Sequence, residues 1–229
     1  MRLCIVVPTL DEESALARNL PAALAMLAAG DLVVVSDGGS ADRTAAIAAE
    51  LGATVVCGPP GRGLQLDRGA RAALAAGADL LVFLHADTTL PPGAAERLRA
   101  AVAAGARGGA FLLRFDSDRA KMRLGGRLVN LRTRWTRLPL GDQAQFVTRA
   151  TYEELGGFRD WPILEDLDFA WRLRRAKAMT ILDAQVITSA RRFLERGSLR
   201  TVSTNWLIWL LFLLGVSPHR LARLYRHAR

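Results

Sequence analysis

Short apolar, β-branched segments alternate with Ala- and Leu-rich segments over the first hundred residues, and this alternation limits the fold more than any other feature of the sequence. Four such segments of four to six residues are typical of strands, and a helical segment follows each of them. Chains with this alternation form parallel sheets, because each helix returns the chain to the same end of the sheet. The sequence therefore predicts an α/β fold with a mostly parallel, Rossmann-like sheet flanked by helices.

The first half gives clear boundaries for these elements. The predicted strands are residues 3–7, 32–36, 54–57 and 80–85. The predicted helices are residues 12–28, 41–51, 64–76 and a helix that Pro91 and Pro92 open and that ends at Ala104. Ser40 precedes the second helix, and we expect it to cap the N-terminus of that helix.

The second half is less regular. We expect strands at residues 109–115, 145–148 and 179–182, with a basic helix or loop at 119–137. Further helices are predicted at residues 150–155, 165–176, 198–215 and 218–226. Cys4 and Cys57 both fall in predicted strands, so we expect buried free thiols, as in a reducing compartment, rather than a disulfide.

The net charge of +9 is concentrated in two arginine-rich stretches. Residues 114–137 hold seven Arg and one Lys against two Asp, and residues 191–229 hold eight Arg and one Glu. Such stretches favour polyanionic partners, namely phosphates or an anionic membrane face. No zinc-finger, helix-turn-helix or RNA-binding signature accompanies the charge, so we do not expect nucleic acid as a partner.

The longest apolar run, WLIWLLFLL at residues 206–214, is too short to span a membrane. At about 1.5 Å per residue, a helix of this length covers roughly half of the hydrocarbon core. Three interpretations stay open: a buried helix, a homodimer contact through residues 203–216, or peripheral contact with a membrane. No signal peptide is recognised, so a cytoplasmic location is expected, with the inner face of the membrane as an alternative.

The loops that follow the predicted strands identify the ligand class, because open α/β sheets bind ligands at the carboxyl ends of their strands. The first loop contains no glycine, which excludes a dinucleotide-binding turn, and the sequence has neither a P-loop nor a GxSxG nucleophile elbow. Carboxylates follow three of the strands instead: Asp11, Glu12, Asp37 and Asp87. Such groups bind ribose hydroxyls, base N–H groups, or a divalent ion that carries phosphates.

Six segments in order resemble the family 2 glycosyltransferases of GT-A fold. They are VVPTLDEE, VVVSDGGSADRT, GRGLQLDRGA, LVFLHADT, GDQAQFV and ILEDLDFAWRLRR. The resemblance is greatest to a small bacterial branch that has HAD in place of DxD, and it covers about residues 1–190. It implies a nucleotide-sugar-binding catalytic domain over residues 1–190. Residues 191–229 would form a helical tail packed on that domain, on a membrane or on a partner.

The resemblance also implies where the donor nucleotide binds, most simply a UDP-sugar. Thr9 and Glu12 would contact the nucleoside and Asp37 the base, while Arg62 and Gln65 belong to the loop that closes over the nucleotide. The full set of implied nucleotide contacts is Pro8, Thr9, Glu12, Asp37, Gly38, Arg62, Gln65 and Ala86.

The resemblance assigns the remaining chemistry to acidic and basic side chains. Asp87 would hold Mg²⁺ or Mn²⁺ against the donor diphosphate, with His85 as an additional ligand suited to Mn²⁺. In an inverting transfer one carboxylate must take the proton of the attacking hydroxyl, and Asp166 is the expected base, with Glu165 second. Asp168 should face elsewhere, because two residues turn a helix by about 200°. The residues expected near the donor sugar or the sugar, lipid or small-molecule acceptor are Asp142, Gln143, Arg191 and Arg192.

Alternatives remain at the level of sequence. Asp37 also suits a turn, and Glu12 and Asp166 also suit the first turn of a helix, where carboxylates are favoured. A catalytically silent nucleotide-sugar-binding or membrane-docked scaffold is the second functional hypothesis. A nucleotidyltransferase would share the sheet, but it normally begins with a Gly-rich loop where this chain has PTLDEE.

Overall fold

The computed structural model describes residues 1–191, 193 and 198–227. The described residues form one eight-stranded sheet. Its strands are β1 (Leu3–Thr9), β2 (Leu32–Asp37), β3 (Thr54–Cys57), β4 (Leu80–Phe83), β5 (Thr88–Thr89), β6 (Gly108–Phe115), β7 (Phe146–Thr148) and β8 (Met179–Thr188).

Helices connect and cover these strands. They are α1 (Glu13–Ala25), α2 (Thr44–Glu50), α3 (Arg62–Ala75), α4 (Ala94–Ala103), α5 (Ala120–Thr136), α6 (Arg149–Leu155), α7 (Glu165–Arg175), α8 (Ser198–Leu213) and α9 (Pro218–His227). A short 3₁₀ turn, Gly141–Gln143, precedes β7.

The sheet has the strand order β3-β2-β1-β4-β7-β6-β8-β5. The first four strands are parallel, as are β6 and β8, whereas β7 runs antiparallel to both of its neighbours. The predicted mostly parallel α/β sheet is therefore confirmed. Thr9 at the end of β1 pairs with Asp37 at the end of β2, so the loops that follow these strands start side by side.

Side chains of the central strands point alternately to the two faces of the sheet, and each face has its own hydrophobic core. Leu3, Ile5 and Val7 of β1 belong to the cluster that α1 and α4 cover, whereas Cys4 and Val6 belong to the cluster that α3 and α7 cover. Successive strand residues point to opposite faces. Burial on both faces explains why these strands are continuous apolar runs in the sequence.

The structure extends the predicted sheet near β8. This strand reaches Thr188 rather than ending at Leu182, and it pairs along its whole length with β6, with an irregularity between Phe111 and Leu112. Asp183 and Gln185 interrupt the apolar pattern, so periodicity alone does not reveal the extension. The two-residue strand β5 is also absent from the prediction, because two residues carry no pattern.

Two local predictions are wrong. Ser40 does not cap α2, since that helix begins at Thr44 and it is the carboxylate of Asp42 that accepts the Thr44 N–H at 2.9 Å. The Ser40 hydroxyl instead accepts the Asp11 N–H at 2.9 Å. Both cysteines are free, but only Cys4 is buried; Cys57 is exposed because β3 lies at the edge of the sheet.

The C-terminal helix α8 packs part of its surface against the domain. Trp209 and Phe212 contact the core cluster beneath α3 and α7, and Ile208 is buried. Leu207, Leu210 and Leu214 are exposed. Within the described ranges no helix is long and apolar enough to cross a membrane. The domain boundary at residue 190 and the dimer or membrane contact through residues 203–216 stay predictions.

A pair of glycine substitutions tests the packing of β6 and α5. In Gly109→Ala the new Cβ would overlap the carbonyl oxygen of Thr180 on β8, so we expect a loss of at least about 3 kcal/mol in the free energy of unfolding. In Gly125→Ala the nearest atom is 3.8 Å away, so the helical alanine should stabilise the protein by about 0.5–1 kcal/mol. Urea denaturation measures both, and equal effects of the two substitutions would contradict the register of β6 against β8.

Candidate active site

The loops after β1, β2 and β4 meet the N-termini of α3 and α7 and the Gly141–Gln143 turn at one edge of the sheet. The parallel order of β2, β1 and β4 places their carboxyl ends together. The antiparallel strand β7 then leads the Gly141–Gln143 turn to the same edge, because β7 pairs with β4 in the opposite direction. The edge is therefore assembled from segments that lie more than a hundred residues apart in the chain.

Arg62, at the start of α3, is the central side chain of this edge. Its Nε lies 2.7 Å from Oε1 of Glu165, and its Nη2 lies 3.3 Å from Oδ2 of Asp166. The same Nη2 is 2.9 Å from Nε2 of His85. A guanidinium has only donors, so Nε2 of His85 accepts this bond and carries no proton. One cation thus joins the HAD segment to the Glu165-Asp166 pair.

Burial and the surrounding carboxylates have opposite effects on the pKa of Arg62. Burial alone would lower the pKa of the Arg62 guanidinium, but the carboxylates of Glu165, Asp166, Asp142 and Asp87 together raise it above its ordinary value. These four carboxylates, which come from the predicted catalytic, metal and sugar sets, therefore all act on one cation. Their proximity is the electrostatic signature of a functional site.

The carboxylate of Asp166 is held in a fixed orientation. Its Oδ2 accepts the Gly141 N–H at 2.6 Å, and its Oδ1 accepts the Leu167 N–H at 2.7 Å. Gln145 donates to the Asp166 carbonyl oxygen at 3.0 Å. Leu164, just before α7, has φ of 64°, a left-handed conformation that costs a non-glycine residue energy and is commonest at functional sites. A strained backbone residue therefore lies two positions before Asp166.

Two neighbouring carboxyl groups have raised pKa values. Burial raises the pKa of Glu165 to about 7, with the Arg62 charge opposing and the Asp166 charge adding to this shift. Burial likewise raises the pKa of Asp142 to about 6, while Arg132 and Arg62 oppose it. The Oδ1 atom of Asp142 is buried and has no hydrogen-bond partner among the described residues. A buried, unsatisfied carboxylate oxygen is costly, which favours a ligand as its partner.

Asp37 and Thr9 lie next to each other on the other side of the edge. The Thr9 hydroxyl donates to Asp37 at 3.1 Å, and the backbone N–H groups of Gly39 and Ser40 donate to the other carboxylate oxygen at 2.9 and 2.8 Å. Burial opposes ionisation, but the hydrogen bonds, that of Ser40 foremost, lower the pKa of Asp37. The carboxylate thus stabilises the turn after β2, and its contact with a base stays a prediction.

Gln65 fixes the relative positions of the first two loops. Its amide nitrogen donates to the Thr9 carbonyl at 2.6 Å and to the Ser36 carbonyl at 3.3 Å. A Cβ on Gly38 would lie 2.9 Å from the Gln65 side chain, so a larger residue there would displace the amide. Hydrogen bonds therefore join three of the predicted nucleotide contacts, Thr9, Asp37 and Gln65, into one surface, here called the Thr9, Asp37 and Gln65 wall.

The other predicted nucleotide residues lie along the same edge. Pro8 is part of β1. Glu12 immediately precedes α1, and its backbone N–H donates to the Thr44 hydroxyl. Ala86 is buried, and its carbonyl accepts from the Asn19 side chain. Their contacts with a nucleotide stay predictions.

Asp87 follows β4, and its charge acts on both Arg62 and Asp142. Over the part of the chain that the structure describes, no three His, Cys, Asp or Glu side chains are grouped so as to hold a metal ion. Mg²⁺ is commonly held by one or two carboxylates together with substrate phosphates and water, so a single strand-end carboxylate fits a metal that arrives with a diphosphate. His85 uses its Nε2 to accept from Arg62 and does not offer that atom to a metal in this arrangement.

Gln143 does not face the cleft, which corrects its predicted contact with a sugar. The side chain is fully buried; it donates to the Phe111 carbonyl at 3.1 Å and accepts from the Thr133 hydroxyl at 2.9 Å. It therefore anchors the turn that carries Asp142. Arg191 is exposed three residues after Thr188, whose hydroxyl lies 3.0 Å from that of Thr88 beside Asp87. Arg192 lies outside the described residues.

Asp168 faces away from Asp166, as the helical geometry predicts. Its Oδ2 accepts from Arg172 Nε at 2.8 Å, and its Oδ1 lies 3.2 Å from Arg159. Helix α7 thus places Asp166 on the side that faces Arg62 and Asp168 on a different side, where it stabilises the fold.

Three residues of the edge are not identified by sequence reasoning. The Gly141 N–H orients Asp166, Gln145 holds the Asp166 backbone, and Arg132 on α5 compensates the charge of Asp142. Gly141 and Gln145 flank the predicted pair within GDQAQ, so the segment itself was the available signal. Nothing local distinguishes Arg132 from the other arginines of its basic helix.

Comparisons with known proteins agree with the fold and with the motifs. The family model described as Glycosyl transferase family 2 matches residues 4–159. An uncharacterized glycosyltransferase of Mycobacterium tuberculosis is 38% identical over 103 residues, which is 44% of this chain and 44% of that protein. The chain thus matches less than half the length of this curated relative.

Solved structures share the fold at low sequence identity. Residues 1–349 of TarS from S. aureus give a TM-score of 0.67 at 16% identity, covering 83% of this chain and 61% of that one. Glucosyl-3-phosphoglycerate synthase from Mycobacterium tuberculosis, in complex with Mn²⁺, UDP and glucosyl-3-phosphoglycerate, gives 0.58 at 21% identity, covering 80% and 70%. The order of the motifs, the assembly of their residues around Arg62, and the family match over residues 4–159 together show that the chain belongs to glycosyl transferase family 2.

Proposed function

We propose that this protein is an inverting glycosyltransferase that moves a sugar from a UDP-sugar to a hydroxyl acceptor. The observation that carries the proposal is the position of Arg62, which contacts His85 of the donor-side segment and both Glu165 and Asp166 of the acceptor-side pair. Arg62 thus connects the HAD segment with the Glu165-Asp166 pair, and these are the two motifs that must flank a reacting glycosidic bond.

In the proposed reaction the oxygen of the acceptor hydroxyl attacks the anomeric carbon from the face opposite the diphosphate. The bond between that carbon and the diphosphate oxygen breaks, and the electron pair leaves with the nucleoside diphosphate. Asp166 takes the hydroxyl proton, and the Gly141 N–H keeps its carboxylate aligned. Arg62 supplies positive charge where negative charge develops on the leaving group.

Donor recognition is assigned to the Thr9, Asp37 and Gln65 wall, and the divalent ion to Asp87. When bound, Mg²⁺ or Mn²⁺ would supply Lewis-acid stabilisation of the departing diphosphate. The choice of UDP is supported by relatives of the same fold: TarS has been solved in complex with UDP-GlcNAc, and the mycobacterial synthase with UDP and Mn²⁺ or Mg²⁺. Asp142, with its unsatisfied oxygen, is the side chain that we assign to the transferred sugar or the acceptor.

A catalytically silent nucleotide-sugar-binding protein is the second candidate. The ion pairs of Arg62 with both Glu165 and Asp166 favour it, because a carboxylate held by a cation is a weaker base. Turnover separates the two candidates, since both bind a donor and only the first consumes it.

Nucleotide binding is tested by thermal shift in the presence of Mn²⁺ or Mg²⁺. At a hundred times its Kd, UDP should stabilise the protein by about 2.7 kcal/mol relative to the ligand-free protein, and ADP at the same concentration should stabilise it less. In Asp87→Ala the metal-dependent part of the UDP affinity should disappear, because the diphosphate loses its metal-holding carboxylate. The exposed Asp160→Ala is the matched control. Metal-stimulated UDP affinity that survives in a folded Asp87→Ala variant would remove Asp87 from the metal site.

The base is tested by a pair of isosteric substitutions on α7. Asp166→Asn should lower turnover by about 10²–10⁴-fold with UDP affinity near that of the wild type, because the base contacts the acceptor. Asp168→Asn should lower the thermal midpoint, since it weakens the contacts with Arg159 and Arg172, while turnover per folded molecule is retained. The reverse pattern would mean that the wrong carboxylate has been assigned.

The buried carboxyl groups predict an unusual dependence of stability on pH. A carboxyl group whose pKa rises from 4.5 to about 7 on folding binds more protons in the native state within this range, so stability falls as pH rises. Between pH 5 and pH 8, Glu165 alone should remove about 2–3 kcal/mol from the free energy of unfolding, at roughly 1.4 kcal/mol per pKa unit. Glu165→Gln should abolish this component, whereas Asp160→Asn should not. A pH profile identical in the wild type and Glu165→Gln would contradict the raised pKa.

A further inference from the structure

Helix α5 exposes an apolar stripe on its outer side. Leu124, Leu128, Leu131 and Trp135, here called the α5 stripe, are 57%, 57%, 61% and 91% exposed. At about 100° per residue these four side chains lie within a sector of about 60°. The buried residues lie on the other side of the helix: Met122, Gly126, Asn130 and Thr133.

Positive side chains flank the α5 stripe on both sides. Lys121 lies at about 60° to one side, and Arg123, Arg127 and Arg134 lie at about 60–100° to the other; all four side chains are exposed. The helix contains no acidic residue. Of these cations, Arg134 is paired with the exposed Asp183 at 2.6 Å. The surface therefore combines an apolar centre with a basic border.

Two polar anchors prevent the helix from rotating the stripe inward. The Asn130 side chain accepts the Leu113 N–H at 2.9 Å and donates to the Leu113 carbonyl at 2.8 Å, which locks α5 onto β6. Thr133 donates to Gln143 at 2.9 Å, one turn further along. Rotation would break these buried hydrogen bonds, so the stripe stays presented outward.

We propose that the α5 stripe and its basic border form a docking surface for an anionic lipid membrane. A helix with Leu and Trp on one face and Arg and Lys along both borders lies in the interface of a membrane, with the apolar side chains in the acyl region and the cations at lipid phosphates. Charge disfavours a second copy as the occupant, because a two-fold contact would place two acid-free basic helices against each other. Trp135, at the end of the stripe, is the residue type favoured at the membrane interface.

This surface lies close to the candidate site. Arg132 follows Leu131 of the stripe in the sequence; its guanidinium packs over the Trp209 ring of α8 at 5.6 Å, and its charge acts on Asp142. Docking through α5 would therefore hold the catalytic edge beside the lipid surface. The proposal itself does not depend on glycosyl transfer, since binding to vesicles requires no donor.

Vesicle sedimentation with the full chain tests the proposal. We expect binding to phosphatidylcholine vesicles that contain roughly a third phosphatidylglycerol, weak binding to phosphatidylcholine alone, and loss of binding in high salt. Leu128→Asp with Leu131→Asp should weaken binding at least about tenfold. Leu10→Asp, at an exposed leucine outside the α5 stripe and outside α8, is the control and should bind like the wild type, whereas Leu210→Asp tests the contact through residues 203–216.

Further variants keep the result interpretable. Arg123→Glu with Arg127→Glu changes only exposed side chains and should also abolish binding to anionic vesicles, with an unchanged thermal midpoint. Asp166→Asn should bind vesicles normally, which separates docking from catalysis. The proposal is overturned by an absence of binding to anionic vesicles, by loss of binding in Leu210→Asp but not in the α5 variants, or by a dimer that the α5 variants dissociate without any effect of lipid.

Discussion

The ion pairs of Arg62 are the interaction on which the rest of the site depends. The half-buried Arg62 guanidinium lies within 2.7 Å of Glu165 and 3.3 Å of Asp166, and its charge offsets the repulsion between several carboxylates at one edge of the sheet. Without it, Glu165 would be an uncompensated buried charge. In the proposed reaction the same cation also stabilises the negative charge of the departing diphosphate. Arg62 would therefore both compensate the neighbouring carboxylates and take part in catalysis.

The fold provides this meeting point through strand direction. Parallel strands β1, β2 and β4 deliver Thr9, Asp37 and the HAD segment to one edge, and the antiparallel β7 brings the Gly141–Gln143 turn to meet them. Helix α7 then adds Glu165 and Asp166 from its first turn, where the helix dipole favours carboxylates. Fixed hydrogen bonds to Gly141 and Gln145 give the site a defined geometry before any ligand binds.

The sequence is most informative where burial is complete and least informative where contacts are long-range. The runs at β1, β2 and β4 are apolar because both of their sides are buried, so their positions and parallel arrangement could be predicted. The C-terminal part of β8 could not be predicted, because Asp183 and Gln185 interrupt its apolar pattern, and only its pairing with β6 shows that it is a strand. Motif order identified Asp166 and Asp87, but the link from Arg62 to Glu165 joins residues 103 positions apart and depends on how α3 packs against α7. The exposure of Cys57 could not be predicted either, because it depends on the position of β3 at the edge of the sheet.

The stereochemistry of the product tests the central claim most directly. UDP-α-hexoses incubated with the protein, a divalent ion and hydroxyl acceptors, or water in their place, can be followed by proton NMR at the anomeric position. A single displacement at this site predicts that the β-configured product forms first and that Asp166→Asn slows its formation by about 10²–10⁴-fold. Formation of the α-configured product first would contradict the assignment of Asp166 as the base of an inverting transfer.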